Sequence, residues 1–82
     1  MAMLYMSERG ERLLNVLLTQ SDYVSLQELA GALDVARRTV YYDINKINIW
    51  LEQIAVPGLE IIRDKGVFLP YEYRDIIREN ID

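Results

Sequence analysis

The sequence predicts a mostly helical α+β domain, and three observations support this fold class. Three successive segments repeat apolar residues at helical spacing, and a sharp turn separates the second segment from the third. Two short β-leaning runs around a glycine turn then follow. Two helices joined by a turn of about three to four residues form a helix-turn-helix, and a hairpin after them makes it winged. The predicted fold is therefore a winged helix-turn-helix: a three-helix core, a β-hairpin wing and an additional C-terminal helix.

The composition narrows the chemistry that this chain of 82 residues can perform. The chain has no Cys and no His, which excludes disulfides, thiol nucleophiles, Cys/His zinc sites and imidazole acid–base catalysis. Its carboxylates form no convincing close pair, so we expect no enzyme, no catalytic residue, no metal and no cofactor. No apolar run approaches the roughly 18 residues of a membrane helix. We therefore expect no membrane association. The absence of Cys fits a reducing cytosol, and the N-terminus shows no basic leader followed by an apolar run, so we expect a cytoplasmic location.

The chain is expected to divide into one folded unit and two short ends. Its length fits a single small domain. We assign residues 1–6 to an N-terminal tail, residues 7–70 to the winged unit, and residues 71–82 to a C-terminal helix or a linker to a following domain.

The first two helices have clear local signals. The run "ERGERLLNVLLTQ" spaces its leucines as a helix does and predicts a first helix over about residues 8–20. A β-leaning pair at 23–24 is long enough for a very short strand. Ser25 and Glu28 then form an S-x-x-E capping box, which begins a short second helix. Asp34 lies where the chain must turn, and Asp tolerates a left-handed backbone better than most residues.

The third helix, which begins near Ala36, has two contrasting faces. At about 100° per residue one face is a continuous apolar stripe, which predicts a core contact. The stripe consists of Val40, Ile44, Ile47, Leu51 and Ile54. The opposite face holds Arg38, Tyr42, Asn45 and Ile49. Trp50 lies at the edge of the stripe and is assigned to the core rather than to a stacking platform.

The remainder of the chain predicts a hairpin and a fourth helix. Pro57-Gly58 ends the helical pattern, and two apolar runs flank Asp64-Lys65-Gly66, which suits a type I turn closed by a left-handed Gly. The tail places apolar side chains at helical spacing on an otherwise acidic helix, and such a stripe needs a partner. Either it folds back on the domain, or it contacts a second copy or a following domain; we expect a dimer contact or a lead into a dimerising domain.

The crowding of Arg and Tyr at the start of the third helix predicts contacts with duplex DNA. A helix-turn-helix places the N-terminal half of its second helix in the major groove, which is about 12 Å wide. Arg38 and Tyr42 point most directly away from the core stripe and are the best candidates for base contacts. The full set of predicted DNA-contacting residues is Arg37, Arg38, Thr39, Tyr41, Tyr42, Lys46, Arg63 and Lys65. The alternatives are a solvated face for Arg37 and Arg38, and partial burial of Tyr41 against the second helix.

The distribution of charge supports DNA binding locally, although the net charge of −4 opposes it. Residues 35–49 hold Arg37, Arg38 and Lys46 against Asp43, a local excess of two positive charges. Residues 70–82 hold two Arg against four acidic residues, an excess of two negative charges. A second interpretation is therefore a winged helix used for protein association or dimerisation, favoured by the net charge, the outward Ile49 and the acidic apolar tail.

The segment "VSLQELAGALDVARRTVYYDINKINIWL" resembles a known family. It is similar to the N-terminal winged-helix DNA-binding domains of bacterial sugar-operon regulators that carry PTS-regulation domains, of the mannitol-operon activator type, and to the related domain of biotin-operon repressors. The resemblance covers roughly residues 7–70, and "GLEIIRDKGVFL" resembles the wing of that family. Two features depart from the family: Ala36 stands where Ser is common, and the wing is short and barely basic.

The resemblance implies a fragment or short relative of a multidomain transcription regulator of sugar uptake or metabolism genes. It implies double-stranded DNA as the ligand and a homodimer formed through the C-terminal helix or later domains. In that family, sugar-phosphotransferase-system proteins phosphorylate histidines in the later domains. This chain has no His, so such proteins would act on domains outside it.

Overall fold

The structure is a computed structural model that describes residues 6–81. Within this range the chain forms four α-helices, one β-hairpin and one 3₁₀ turn. In chain order they are α1 (Glu8–Thr19), α2 (Leu26–Leu33), α3 (Arg37–Gln53), β1 (Glu60–Ile62), β2 (Gly66–Phe68), the 3₁₀ turn Tyr71–Tyr73 and α4 (Arg74–Ile81). The predicted N-terminal tail, apart from Met6, lies outside the described residues.

Side-chain caps begin the first two helices. The Ser7 hydroxyl accepts the N–H of Gly10 at 3.0 Å, and the Ser25 hydroxyl accepts the N–H of Glu28 at the same distance. Each bond satisfies a backbone donor that has no partner within its helix. Asp34 ends α2 in the left-handed conformation, with φ of 55°, as its place in the sequence predicts. No side chain caps α3, because Ala36 stands at its cap position.

The hydrophobic core lies between α1, α2 and α3. The leucines of α1 face the apolar stripe of α3, and those of α2 close the third side. The predicted stripe is confirmed, with Ile54 at its end only partly buried, and Trp50 is buried as predicted. The buried apolar residues of the three helices are Leu13, Leu14, Leu17, Leu18, Leu29, Leu33, Val40, Ile44, Ile47, Trp50 and Leu51.

The wing is a hairpin of two three-residue strands, and it packs on the segment before α2. Strands β1 and β2 are antiparallel, with Ile61 opposite Val67. Val24 forms a bridge with Val67, in which each N–H donates to the other's carbonyl at 2.8 Å. A Cβ at Gly66 would stand 2.1 Å from the Val24 carbonyl oxygen, and the φ of Gly66 is +113°. Only glycine therefore allows this turn and this close approach.

The C-terminal helix folds back on the domain. Ile77 is fully buried in the core, and Tyr73 and Ile81 pack against it. Arg74 is buried as well, and its guanidinium donates to the carbonyls of Leu69 at 2.8 and 3.0 Å and of Leu18 at 3.3 Å. Most of the apolar stripe of the tail thus packs within the chain, whereas Ile76 is 38% exposed. This is the first of the predicted alternatives; the dimer contact that we expected from this stripe is not shown.

The observed architecture confirms the predicted fold class: four helices and a two-stranded antiparallel hairpin form a winged helix-turn-helix with a C-terminal helix. In the described part of the chain, no helix is long and apolar enough to cross a bilayer.

Candidate nucleic-acid interface

The first two turns of α3 present an exposed face of Arg and Tyr side chains. Arg37 and Arg38 are exposed, Tyr41 is 50% exposed, and Tyr42 is 58% exposed. Tyr41 lines a groove with the first residues of α2, so its half-exposed side chain is compatible with the alternative of partial burial there. Of the other predicted contact residues, Thr39 is half-buried and Lys46, Arg63 and Lys65 are exposed.

The wing lies against one flank of this face. A groove of about 210 Å³ separates α3 from the hairpin, with Arg37 and Tyr41 on one wall and Arg63 and Lys65 on the other. The first residues of α2 form the end of this groove. The structure therefore brings four of the eight predicted residues together at one groove, although they come from segments more than twenty residues apart.

An ion pair between a buried carboxylate and a partly exposed guanidinium lies on the opposite flank of α3. The Asp43 side chain is only 1% exposed, and it accepts from Arg9 in α1: Nε–Oδ2 is 2.6 Å and Nη2–Oδ1 is 3.1 Å. This hydrogen bond and the charge of Asp43 raise the pKa of Arg9 above its ordinary value. Because Asp43 is the acidic residue of the 35–49 segment, its pairing leaves Arg37, Arg38 and Lys46 as the charges that this segment presents to solvent.

The tip of the wing is braced by aromatic contacts. Lys65 Nζ lies 5.6 Å from the centre of the Tyr23 ring, and the Tyr23 hydroxyl donates to Glu60 Oε1 at 2.8 Å. This bond, with burial and the charges of Glu60 and Asp22, raises the pKa of Tyr23 above its ordinary value of 10.0. Tyr23 also packs on Phe68, with ring centres 5.2 Å apart. The position of the Lys65 side chain thus depends on the segment before α2.

The sequence patterns do not predict the ion pair of Arg9, the burial of Asp43 or the contacts of Tyr23 with the wing. One signal for Asp43 existed: at 100° per residue it lies at the border of the apolar stripe, beside Ile47 and Trp50. Its partner is 34 residues away and has no local signature. Residues 6–81 contain no group of three or more acidic side chains placed to hold a metal ion.

A comparison with known protein families matches residues 9–67 to the helix-turn-helix (HTH) domain family. The matched range runs from the first turn of α1 to the middle of β2, and so includes the complete α2–turn–α3 unit and most of the wing. No curated protein and no solved structure matches the chain significantly. Since the family match covers well over half of the chain and its range coincides with the observed fold, the chain belongs to the helix-turn-helix domain family.

Proposed function

We propose that this chain binds double-stranded DNA sequence-specifically, as the DNA-binding domain of a transcription regulator. The observation that carries the proposal is the exposed face of Arg and Tyr on the first two turns of α3, the second helix of the helix-turn-helix. The family match supports the same ligand.

In this proposal the N-terminal half of α3 enters the major groove. Arg38 is exposed and lies opposite the buried stripe, so its guanidinium reaches furthest toward the base edges. A guanidinium donates bidentately to O6 and N7 of guanine, which distinguishes that base from the other three. Tyr42, one turn further along the same face, contacts a thymine methyl group or a phosphate.

The flanking cations contact phosphates and set the register of the helix. Arg37 faces the wing across the groove that also holds Arg63 and Lys65, and Lys46 lies on the other flank of α3. Phosphate contacts position a protein on the duplex without reading its sequence. We therefore assign base contacts to Arg38 and Tyr42. Tyr41 borders the wing groove and contacts the sugar–phosphate backbone. The residues that position the helix on the phosphates are Arg37, Thr39, Lys46, Arg63 and Lys65.

The regulator is proposed to be bacterial and to control genes of sugar uptake or metabolism. This finer assignment rests on the resemblance of the α2–α3 segment to PTS-regulation-domain regulators. The same resemblance supports sugar-phosphotransferase-system proteins as partners of domains outside this chain. Since helix-turn-helix regulators read two half-sites about one helical turn apart, a homodimer is the proposed functional form. Because α4 packs on its own domain, exposed residues of α4 or later domains would make the dimer contact.

The test is a titration of labelled duplex DNA at salt concentrations between 50 and 200 mM. Four cations assigned to phosphates imply a slope of log K against log[salt] of about −3.6, which is a loss of about 10² in affinity over this range. Non-specific binding by the single domain should have a Kd of roughly 10⁻⁶ to 10⁻⁴ M. Absence of binding at 50 mM salt would contradict the proposal.

Two substitutions separate the proposed roles. Arg38→Ala should weaken binding to the best site by about 1–3 kcal/mol and relax the preference at one base position. Lys65→Ala should weaken binding to all sequences about equally and reduce the salt slope by about one. Identical behaviour of the two variants on specific and scrambled DNA would show that the roles are assigned wrongly.

A second candidate function is protein association. Ile49 is 48% exposed on the same face of α3 as Arg38, and the net charge of the chain is −4. An apolar side chain at this position is typical of a protein contact rather than of a phosphate contact. In this case the domain would self-associate, and Ile49→Lys would abolish association while DNA affinity stayed undetectable.

A further inference from the structure

We propose that Arg9 is an additional DNA-contacting residue, held toward the phosphate backbone by the buried carboxylate of Asp43. The inference rests on the proposed function, because it names a further contact to the same ligand. It concerns a residue of α1, outside the helix-turn-helix and outside the wing.

The Asp43 carboxylate fixes the orientation of the Arg9 guanidinium. It accepts two hydrogen bonds, from Nε at 2.6 Å and from Nη2 at 3.1 Å, which is the side-on bidentate geometry of a strong charge-assisted pair. The carboxylate is only 1% exposed. Since a buried carboxylate is costly without a partner, the guanidinium is held at this position whenever the domain is folded.

The rest of the guanidinium is free to bind an anion. Arginine has five N–H donors, and Asp43 takes two of them. The other donors, on Nη1 and Nη2, have no acceptor among residues 6–81, and the side chain is 41% exposed. A planar fork with fixed orientation and unused donors fits phosphate oxygens well, because little side-chain entropy is lost on contact.

The position of Arg9 suits the second strand of the duplex. Around α3, Asp43 lies about 40° from Thr39 and about 60° from Lys46, on the flank away from Arg37 and the wing. Lys46 and Asp43 both line a groove of about 370 Å³ between α3 and the first turn of α1, and Arg9 is tied to this flank by its bonds to Asp43. A helix in the major groove has one phosphate backbone on each side. The wing flank faces one backbone, and Arg9 with Lys46 faces the other.

Arg12 provides a matched control for Arg9. It lies on the same helix, one turn further on, and its Nη2 donates to the Ala32 carbonyl of α2 at 3.4 Å. Arg9→Gln and Arg12→Gln change the net charge of the chain by the same amount. Any difference between them in DNA binding therefore comes from position and not from overall charge.

The experiment measures DNA affinity of the wild-type chain and both variants from 50 to 200 mM salt. Loss of one phosphate contact should make the salt slope of Arg9→Gln shallower by about 0.9, so that its deficit in affinity is about 3.5-fold larger at 50 mM than at 200 mM. Arg12→Gln should keep the wild-type slope. Equal salt slopes for all three proteins, or equal losses of DNA affinity in both variants, would show that Arg9 does not contact DNA.

A double variant keeps the test valid if Arg9→Gln leaves Asp43 unpaired and fails to fold. Apolar replacement of a buried ion pair commonly preserves folding, and R9M/D43L also preserves the net charge. Its slope should be shallower by about 0.9 as well; a folded double variant with the wild-type slope would refute the proposal. Absence of wild-type binding at 50 mM would instead overturn the proposed function, and this contact with it.

Discussion

Substitution of Gly66 by Ala tests how the wing is held against the helical core. A Cβ at this position would stand 2.1 Å from the Val24 carbonyl oxygen and 2.7 Å from the Ser25 Cα. Both are backbone atoms, so no side chain can rotate to make room. The φ of +113° adds strain that an L-residue with a side chain cannot avoid.

The magnitude follows from the contacts that the extra methyl group would disrupt. Backbone strain costs about 1–3 kcal/mol, and the two hydrogen bonds between Val24 and Val67 contribute about 0.5–1.5 kcal/mol each. Gly66→Ala should therefore lower the free energy of unfolding by about 2–6 kcal/mol. This is a large part of the roughly 4–12 kcal/mol available to a domain of this size.

The assay is urea denaturation followed by circular dichroism, with Gly31→Ala as the control. Gly31 lies in α2, and a Cβ there would meet nothing within 4 Å. Because Ala is the better helix former, Gly31→Ala should raise the free energy of unfolding by about 0.5–1 kcal/mol. If Gly66→Ala is as stable as the wild type, the bridge between the wing and the segment before α2 is wrong.

Two further predictions concern the tail and the wing. Ile77→Ala should destabilise the domain by about 2–5 kcal/mol, because Ile77 is fully buried. Ile76→Ala, at a residue that is 38% exposed, should cost less than about 1 kcal/mol. If thermal denaturation shows equal and small losses for both variants, α4 does not pack on the core. The Glu60 bond raises the pKa of Tyr23, so it stabilises the fold below pH 10.0, the ordinary pKa, and this contribution is lost as pH rises through the higher folded value. Absorbance titration at tyrosinate wavelengths should show one tyrosine ionising at lower pH in Glu60→Gln than in the wild type, and an unchanged curve would exclude this bond.

The sequence predicts the local features of this fold well because periodicity, caps and turns depend on neighbouring residues. The α3 stripe, the Ser25 cap and the left-handed Asp34 are all confirmed. The contacts that the sequence does not predict join distant segments. Arg74 donates to the Leu18 carbonyl 56 residues away, and no pattern in the sequence around Arg74 predicts its burial.

The candidate interface was predictable in part for the same reason. The exposed face of α3 follows from helical geometry, but its flanks depend on tertiary packing. The segment that carries Tyr23 meets the wing through the Val24 bridge to β2 and the Tyr23 contacts with Glu60 and Phe68. Arg9 meets Asp43 only because α1 packs on α3. Neither contact has a pattern within a window of the sequence.

Selection of bound sites from random duplex DNA shows whether the first two turns of α3 read base sequence. At a stated low salt concentration, the wild-type chain should enrich a short motif that contains at least one strongly preferred guanine. Arg38→Ala, which leaves the core untouched because Arg38 is exposed, should enrich the same motif with that preference lost. Enrichment of no motif by the wild type, or of an identical motif by both proteins, would show that Arg38 and this part of α3 do not read bases.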